Sequence, residues 1–187
     1  MELYELNGKL LKFNGKLLGK ASPTPPPPPT PPLILEVQAA SPVYLPTGNP
    51  NTYSYNFTVN WGDWSPPAHY ASADIISLGT PPVHEYVTGT WQITITGIFP
   101  TISYYTNPDS STIRRVIQFG DCGYTTMVNA FRGCYNLTEV LTGLTDNMDN
   151  VTSMSSMFRG CYQTVSIAVP SSLPNVTTMA SMFRTAD

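Results

Sequence analysis

The chain has 187 residues, enough for one or two small domains, with 11% charged residues and a formal net charge of −3. Such a charge excludes the basic footprint of a nucleic-acid binder, and no apolar run is long enough for a membrane-spanning helix. All four lysines (Lys9, Lys12, Lys16, Lys20) lie in the first twenty residues; the remainder sets five arginines against ten acids and is rich in Thr, Ser, Asn and Tyr. That is the composition of a β-rich, outward-facing protein.

Residues 1–20 contain Asn7-Gly-Lys-Leu-Leu11 and Asn14-Gly-Lys-Leu-Leu18, seven residues apart. Asn-Gly is the strongest two-residue hairpin signal, so two tight turns joining very short strands are predicted. Two internal glycines disfavour an amphipathic helix. So short a segment buries no core of its own. It is expected to dock on something larger through Leu3, Tyr4, Leu6, Leu10, Leu11, Phe13, Leu17 and Leu18. The acidic opening Met-Glu-Leu-Tyr-Glu-Leu lacks an apolar run, so no secretory leader is expected. Openings with repeated N-G-K-L-L resemble those of phage virion proteins, which implies attachment of this segment to a particle. Residues 21–32 hold eight of the 19 prolines. They predict a polyproline II spacer of about 3 Å per residue.

Residues 33–100 read as a β-sandwich. Leu33–Gln38, Tyr53–Trp61 and Thr90–Gly97 alternate apolar and polar residues, and Pro/Gly/Asn clusters separate them. The expected core faces are Tyr53, Tyr55, Phe57, Val59 and Trp61 on one strand and Trp91, Ile93 and Ile95 on another. The motif Val59-Asn-Trp61-Gly62-Asp63, then Val83-His84-Glu-Tyr86 and Thr88-Gly89-Thr90-Trp91-Gln-Ile-Thr-Ile, resembles a PKD domain. That family is an immunoglobulin-like sandwich, usually a spacer or binding module. Trp64 stands where its motif has glycine, so the turn after Asp63 is expected to differ. Asp63 is read as satisfying turn backbone groups and His84 as fixing a sandwich edge, in preference to acid–base chemistry.

Residues 101–187 open with a strand, Ile113–Phe119, and then repeat a phrase. It runs Thr126-Met127-Val-Asn-Ala-Phe131-Arg132-Gly133-Cys134, Ser153-Met154-Ser-Ser-Met157-Phe158-Arg159-Gly160-Cys161, and Thr178-Met179-Ala-Ser-Met182-Phe183-Arg184; the copies start 27 and then 25 residues apart. A fixed period of this size marks a solenoid, in which each unit buries its apolar face against its neighbours. Met154, Met157, Phe158 and Cys161 fall at i, i+3, i+4 and i+7, which predicts a helix of about two turns ended by Gly160. Val165–Val169 and Leu137–Leu141 predict short strands after it. Asn150-Val-Thr and Asn175-Val-Thr re-enter the helix. These residues resemble the repeats of BspA-like leucine-rich-repeat surface proteins, which implies display and adhesion on a bacterial surface or a phage particle.

The methionine and phenylalanine stripe is read as core. Cys134 and Cys161 hold equivalent positions and are expected to stack as free, buried thiols; Cys122 has no matched partner. No zinc spacing exists and no nucleophile motif. Asp146 and Asp149 are the nearest pair of acids, and a calcium site there is the lesser reading. The Asn-x-Thr sites at Asn56, Asn136, Asn150 and Asn175 are read as turn chemistry rather than glycosylation acceptors. Tyr104, Tyr105, Tyr124, Tyr135 and Tyr162 are taken as exposed contact residues, able to stack on sugars or meet proteins.

The fold expected is therefore mostly β: an N-terminal anchor peptide (1–20), a polyproline linker (21–32), a PKD-like immunoglobulin-like sandwich (33–100) and a short α/β solenoid of about three BspA-like repeats (101–187). The function expected is that of a phage virion appendage, of tail- or head-fibre type, for host-surface attachment. The alternative is a fragment of a bacterial cell-surface adhesin. No enzymatic activity, cofactor, metal, nucleic acid or membrane span is expected. The partners expected are other virion proteins through residues 1–20 and a host surface protein or glycan. The third copy stops directly after its helical phrase without a polar cap, so either a longer natural chain or a covering chain is expected, and a homo-oligomer covering that end is the favoured reading.

Overall fold

Two Asn-Gly repeats shape the first elements of the chain. Strands β1 (Glu5–Leu6) and β2 (Lys9–Leu10) pair antiparallel with Leu6 opposite Lys9, and β3 (Lys12–Phe13) and β4 (Lys16–Leu17) pair with Phe13 opposite Lys16. Each register leaves two residues between the partners, as the repeats predict. The computed structural model describes these strands and residues 29–39, 42–105, 107–141, 148–168 and 173–184. Of the expected anchor residues, Leu6, Leu10, Phe13 and Leu17 lie on the strands, while Leu3, Tyr4, Leu11 and Leu18 lie outside the described residues, as do residues 21–28 of the proline stretch. Asp146 also lies outside them, so the acidic pair with Asp149 is not placed.

The body is mostly β. It contains β5 (Leu33–Ala39), β6 (Pro42–Tyr44), β7 (Asn56–Asn60), β8 (Ala68–Ala71), β9 (Val83–Glu85), β10 (Gly89–Ile98), β11 (Ile113–Gln118), β12 (Glu139–Val140) and β13 (Ser166–Ile167), with one short helix, α1 (Ser72–Leu78), among the described residues. Seven strands form one mixed sheet in the order β13-β12-β11-β5-β10-β7-β8. β6 and β9 form a separate antiparallel pair.

Alternation explains the central strands. Leu33, Leu35, Val37 and Ala39 are buried on one face of β5, and their partners on β10 include Ile95 and Ile93, equally buried. Tyr55, Phe57, Val59 and Trp61 are buried as their pattern predicts, whereas Tyr53 and Trp91 are only half-buried. β11 buries Ile113 and Val116, three apart rather than two, because its pairing with β5 shifts register twice.

β5 is hydrogen-bonded to β10 on one side and to β11 on the other, so the sheet runs on across residue 100. Arg115 spans the join: its Nε donates to Glu139 at 2.8 Å and its Nη1 lies 3.5 Å from Glu36. The buried apolar residues form a single cluster from Leu33 to Met182.

Beyond β11 the repeat phrases are not helices. Residues 128–133 and 155–160 are hydrogen-bonded turns. Asn129, Ser156 and Ser181 take left-handed φ of 59°, 56° and 54°, and Gly133 and Gly160 take 80° and 78°. A left-handed residue every few positions cannot propagate a right-handed helix. Alternate amides leave the coil instead. Met127, Asn129, Phe131 and Gly133 donate to the carbonyls of Ser153, Ser155, Met157 and Arg159 in the next coil. Met154, Ser156, Phe158 and Gly160 donate to Thr178, Ala180, Met182 and Arg184 in the third. A two-turn helix is marginal on its own, and coil-to-coil bonding wins.

The rings follow the same stacking. Phe131 and Phe158 lie parallel with centroids 5.6 Å apart, and Phe158 and Phe183 5.8 Å apart. Met127, Met154, Met157 and Met182 are buried, as expected of core; Met179 and Phe183, at the outer coil, are exposed. α1 escaped the sequence reading because it is seven residues long, has Ala71 at its N-cap and buries only Ile75.

Candidate functional site

Of the five tyrosines expected at the surface, three are there. Tyr105, Tyr135 and Tyr162 are 53%, 46% and 57% exposed. Tyr135 and Tyr162 follow equivalent cysteines in adjacent coils. The Arg132 guanidinium lies 4.0 Å from the centroid of the Tyr105 ring, a cation–π contact that steadies that ring.

Tyr104 and Tyr124 are corrected to core residues. Tyr104 is stacked on Phe131 with centroids 5.9 Å apart, the position a preceding coil's phenylalanine would take, and its amide donates to Ala130. It thus covers the first end of the ring ladder. Tyr124 packs edge-on to Phe119 and donates its hydroxyl to the Phe119 carbonyl at 2.5 Å. Burial pushes both phenols well above their ordinary range. Sequence spacing could not separate these tyrosines from the exposed ones, because all five sit among turn residues.

The residues of the Trp-Gly-Asp and His-x-Tyr motifs meet in space. His84 Nε2 lies 2.6 Å from Asp63 Oδ2, while the amide and hydroxyl of Ser65 donate to Asp63 Oδ1 at 3.1 and 2.6 Å. The Ser65 hydroxyl bond, then His84, holds the Asp63 carboxyl down to about 2. The His84 ring lies flat on Trp61, 4.8 Å between centroids, and Tyr86 donates to the Trp61 carbonyl at 2.6 Å. Tyr86 in turn stacks on Trp91. Asp63 therefore satisfies turn groups and His84 fixes a strand pair to the sheet, as the motifs suggest.

Trp64, noted in the sequence only for its place in a turn, stands out by its exposure and backbone. It is 99% exposed and has a φ of 68°. A left-handed backbone costs a residue with a Cβ about 1–2 kcal/mol. The available signal was the tryptophan standing in a glycine position.

The cysteines carry no disulfide: Cys122 and Cys134 are buried and Cys161 is half-buried, all free. Burial pushes the thiol of Cys134 well up and that of Cys161 to about 12. The Cys161 thiol donates to the Phe131 carbonyl. Two of the Asn-x-Thr asparagines bond beyond their own turns, where turn chemistry was expected: Asn136 donates to the Ser111 carbonyl and Asn175 to the Asp149 carbonyl, tying segments distant in sequence together. A cleft of about 430 Å³ lies between residues 47–51 and α1, and its lining has no acid, base or cysteine side chain.

No protein-family model, curated protein or solved structure matches this chain.

Proposed function

We propose that this chain is a non-catalytic appendage of a phage virion, of tail- or head-fibre type, that displays a surface for host attachment. In this reading residues 33–100 are a PKD-like immunoglobulin-like sandwich and residues 101–187 a BspA-like solenoid. Residues 1–20 attach to other virion proteins, and the proline stretch 21–32 spaces them from the body, its end docked there through the Pro31 and Pro32 carbonyls, which accept from Asp121 and Gln118. The target is a host surface protein or glycan.

The observation that carries the reading is the shared strand. β5 joins the antiparallel strands to the stacked coils through hydrogen bonds on both its edges. That makes a stiff body suited to presentation. The hairpin strands, by contrast, form two small sheets of their own. In this reading the exposed tyrosines, Tyr105, Tyr135 and Tyr162, serve as contact residues.

Homo-oligomerisation belongs to the same reading, but the outer coil does not favour a two-fold contact. The amides of Met179, Ser181 and Phe183 have no partner among the described residues, and the carbonyls between them already accept from the second coil. Two such edges placed face to face would set donors against donors.

Immunogold labelling with antibody against the chain tests the assignment. Gold on the tail or capsid of purified particles is the expected result. Gold on a bacterial envelope, with bare particles, would favour the cell-surface adhesin instead.

A further inference from the structure

Trp64 combines two costs that a folded protein ordinarily removes. Its indole is 99% exposed, and its backbone is left-handed at φ 68°. The other non-glycine residues in that region, Asn129, Ser156 and Ser181, carry small polar side chains within the coils. A glycine at position 64 would relieve both costs. Strain of this kind persists where the surroundings over-determine it, and it concentrates at sites of contact.

The surroundings here are tightly built. Asp63 and Ser65, on either side of Trp64, are bonded to each other, and Asp63 is bonded to His84. Gly62 donates its amide to Asn60 Oδ1. It lies so close to β10 that a Cβ would sit 2.3 Å from the Gln92 carbonyl oxygen. Underneath, His84 is stacked on Trp61. The backbone that carries the indole is thus held on a rigid base, so the loop itself needs little ordering on binding and only the indole's own torsions remain to be fixed.

We propose that Trp64 is the platform of a binding site for a neutral glycan, with the C–H face of a sugar ring stacked on the indole. The inference rests on the display reading only for where the glycan is found. The segments tied to the base, residues 60–65 and 83–92, contain no lysine or arginine. That disfavours sulfated, sialylated or phosphorylated sugars. They do carry hydroxyl and amide groups at Asn60, Thr88, Thr90 and Gln92. These suit the hydroxyls of an uncharged sugar. Of the acids, Asp63 is occupied by Ser65 and His84, leaving Glu85. Val83 and Val87 are exposed on the second segment, and a protein partner using them with Trp64 is the competing occupant.

The full chain and its Trp64→Gly and Trp64→Phe variants should be passed over immobilised cellulose, chitin, dextran and galactomannan, with heparin as an anionic comparison. The wild type is expected to be retained on at least one neutral polysaccharide and not on heparin. Trp64→Gly should lose at least about tenfold in affinity, the scale of one interface hot spot, with a melting temperature equal to or above the wild type. Trp64→Phe should keep part of the binding. Retention on none of the neutral polysaccharides, retention on heparin alone, or undiminished retention of Trp64→Gly would each overturn the inference. Particles that carry the chain without glycan retention would overturn the inference and leave the appendage reading standing. Glycan retention by a chain missing from particles would do the reverse.

Discussion

Asp63 contributes an acid-dependent part of the body's stability. Its carboxyl is held at about 2 by the Ser65 hydroxyl and His84, below the ordinary 3.8. A carboxyl depressed by folding stabilises above its unfolded pKa, and that contribution disappears as pH falls through the folded value. Stability should therefore drop between about pH 4 and pH 2. Asp109 is pushed the other way by burial, so its protonation opposes the drop. Comparing the wild type with Asp63→Asn isolates Asp63. Denaturant midpoints should fall with acid more steeply in the wild type than in Asp63→Asn, and parallel curves would refute the assignment. The thiols give a second residue-scale prediction. Cys122, Cys134 and Cys161 should resist alkylation in the native protein and react on denaturation, and native mass should show no loss of hydrogens to a disulfide. The roles of Asp63 and His84 were legible because two short motifs, separated by about twenty residues, each carried a group with an obvious partner. The presentation of Trp64 was not, since a single sequence records the identity of a residue and not the sign of its φ.

At the scale of elements, the coil replaces the helix. Met154, Met157, Phe158 and Cys161 have helical spacing, and their burial was legible from it, with Cys161 only half-covered. The conformation was not. Helical periodicity reports which residues face inward, and a tight coil with local three-residue bonds and left-handed breaks puts the same positions inside. Asn129 was a readable sign of a left-handed residue; Ser156 and Ser181 were not. The ring ladder gives a graded test. Phe131 and Phe158 are buried between neighbours, and Phe183 is 56% exposed. Phe131→Ala and Phe158→Ala should cost about 3–5 kcal/mol, and Phe183→Ala about 1 kcal/mol or less. Chemical denaturation of the three variants checks the order, and equal losses would contradict the stacking.

For the whole molecule, the consequence is unity of the body. Strands in the first half were legible from alternation, and β11 was recognised as the opening strand of the repeats. Its antiparallel pairing with β5 was not legible, because 73 residues lie between Ala39 at the end of β5 and Ile113 at the start of β11, and no local pattern encodes so distant a register. With one sheet and one apolar cluster running from Leu33 to Met182, residues 29–184 should unfold in a single cooperative transition. Two separated transitions, by calorimetry, would mean that the sheet breaks at residue 100. Each hairpin's two strands pair only with one another among the described strands, so removing residues 1–22 should leave that transition in place. The same deletion tests most directly the claim that this chain is a displayed virion part attached through its first segment. Particles assembled with the full chain and with the deleted chain should be purified and probed with the same antibody. The account predicts that the deleted protein is soluble, folded and absent from the particles. Its incorporation at the level of the full chain would contradict the account.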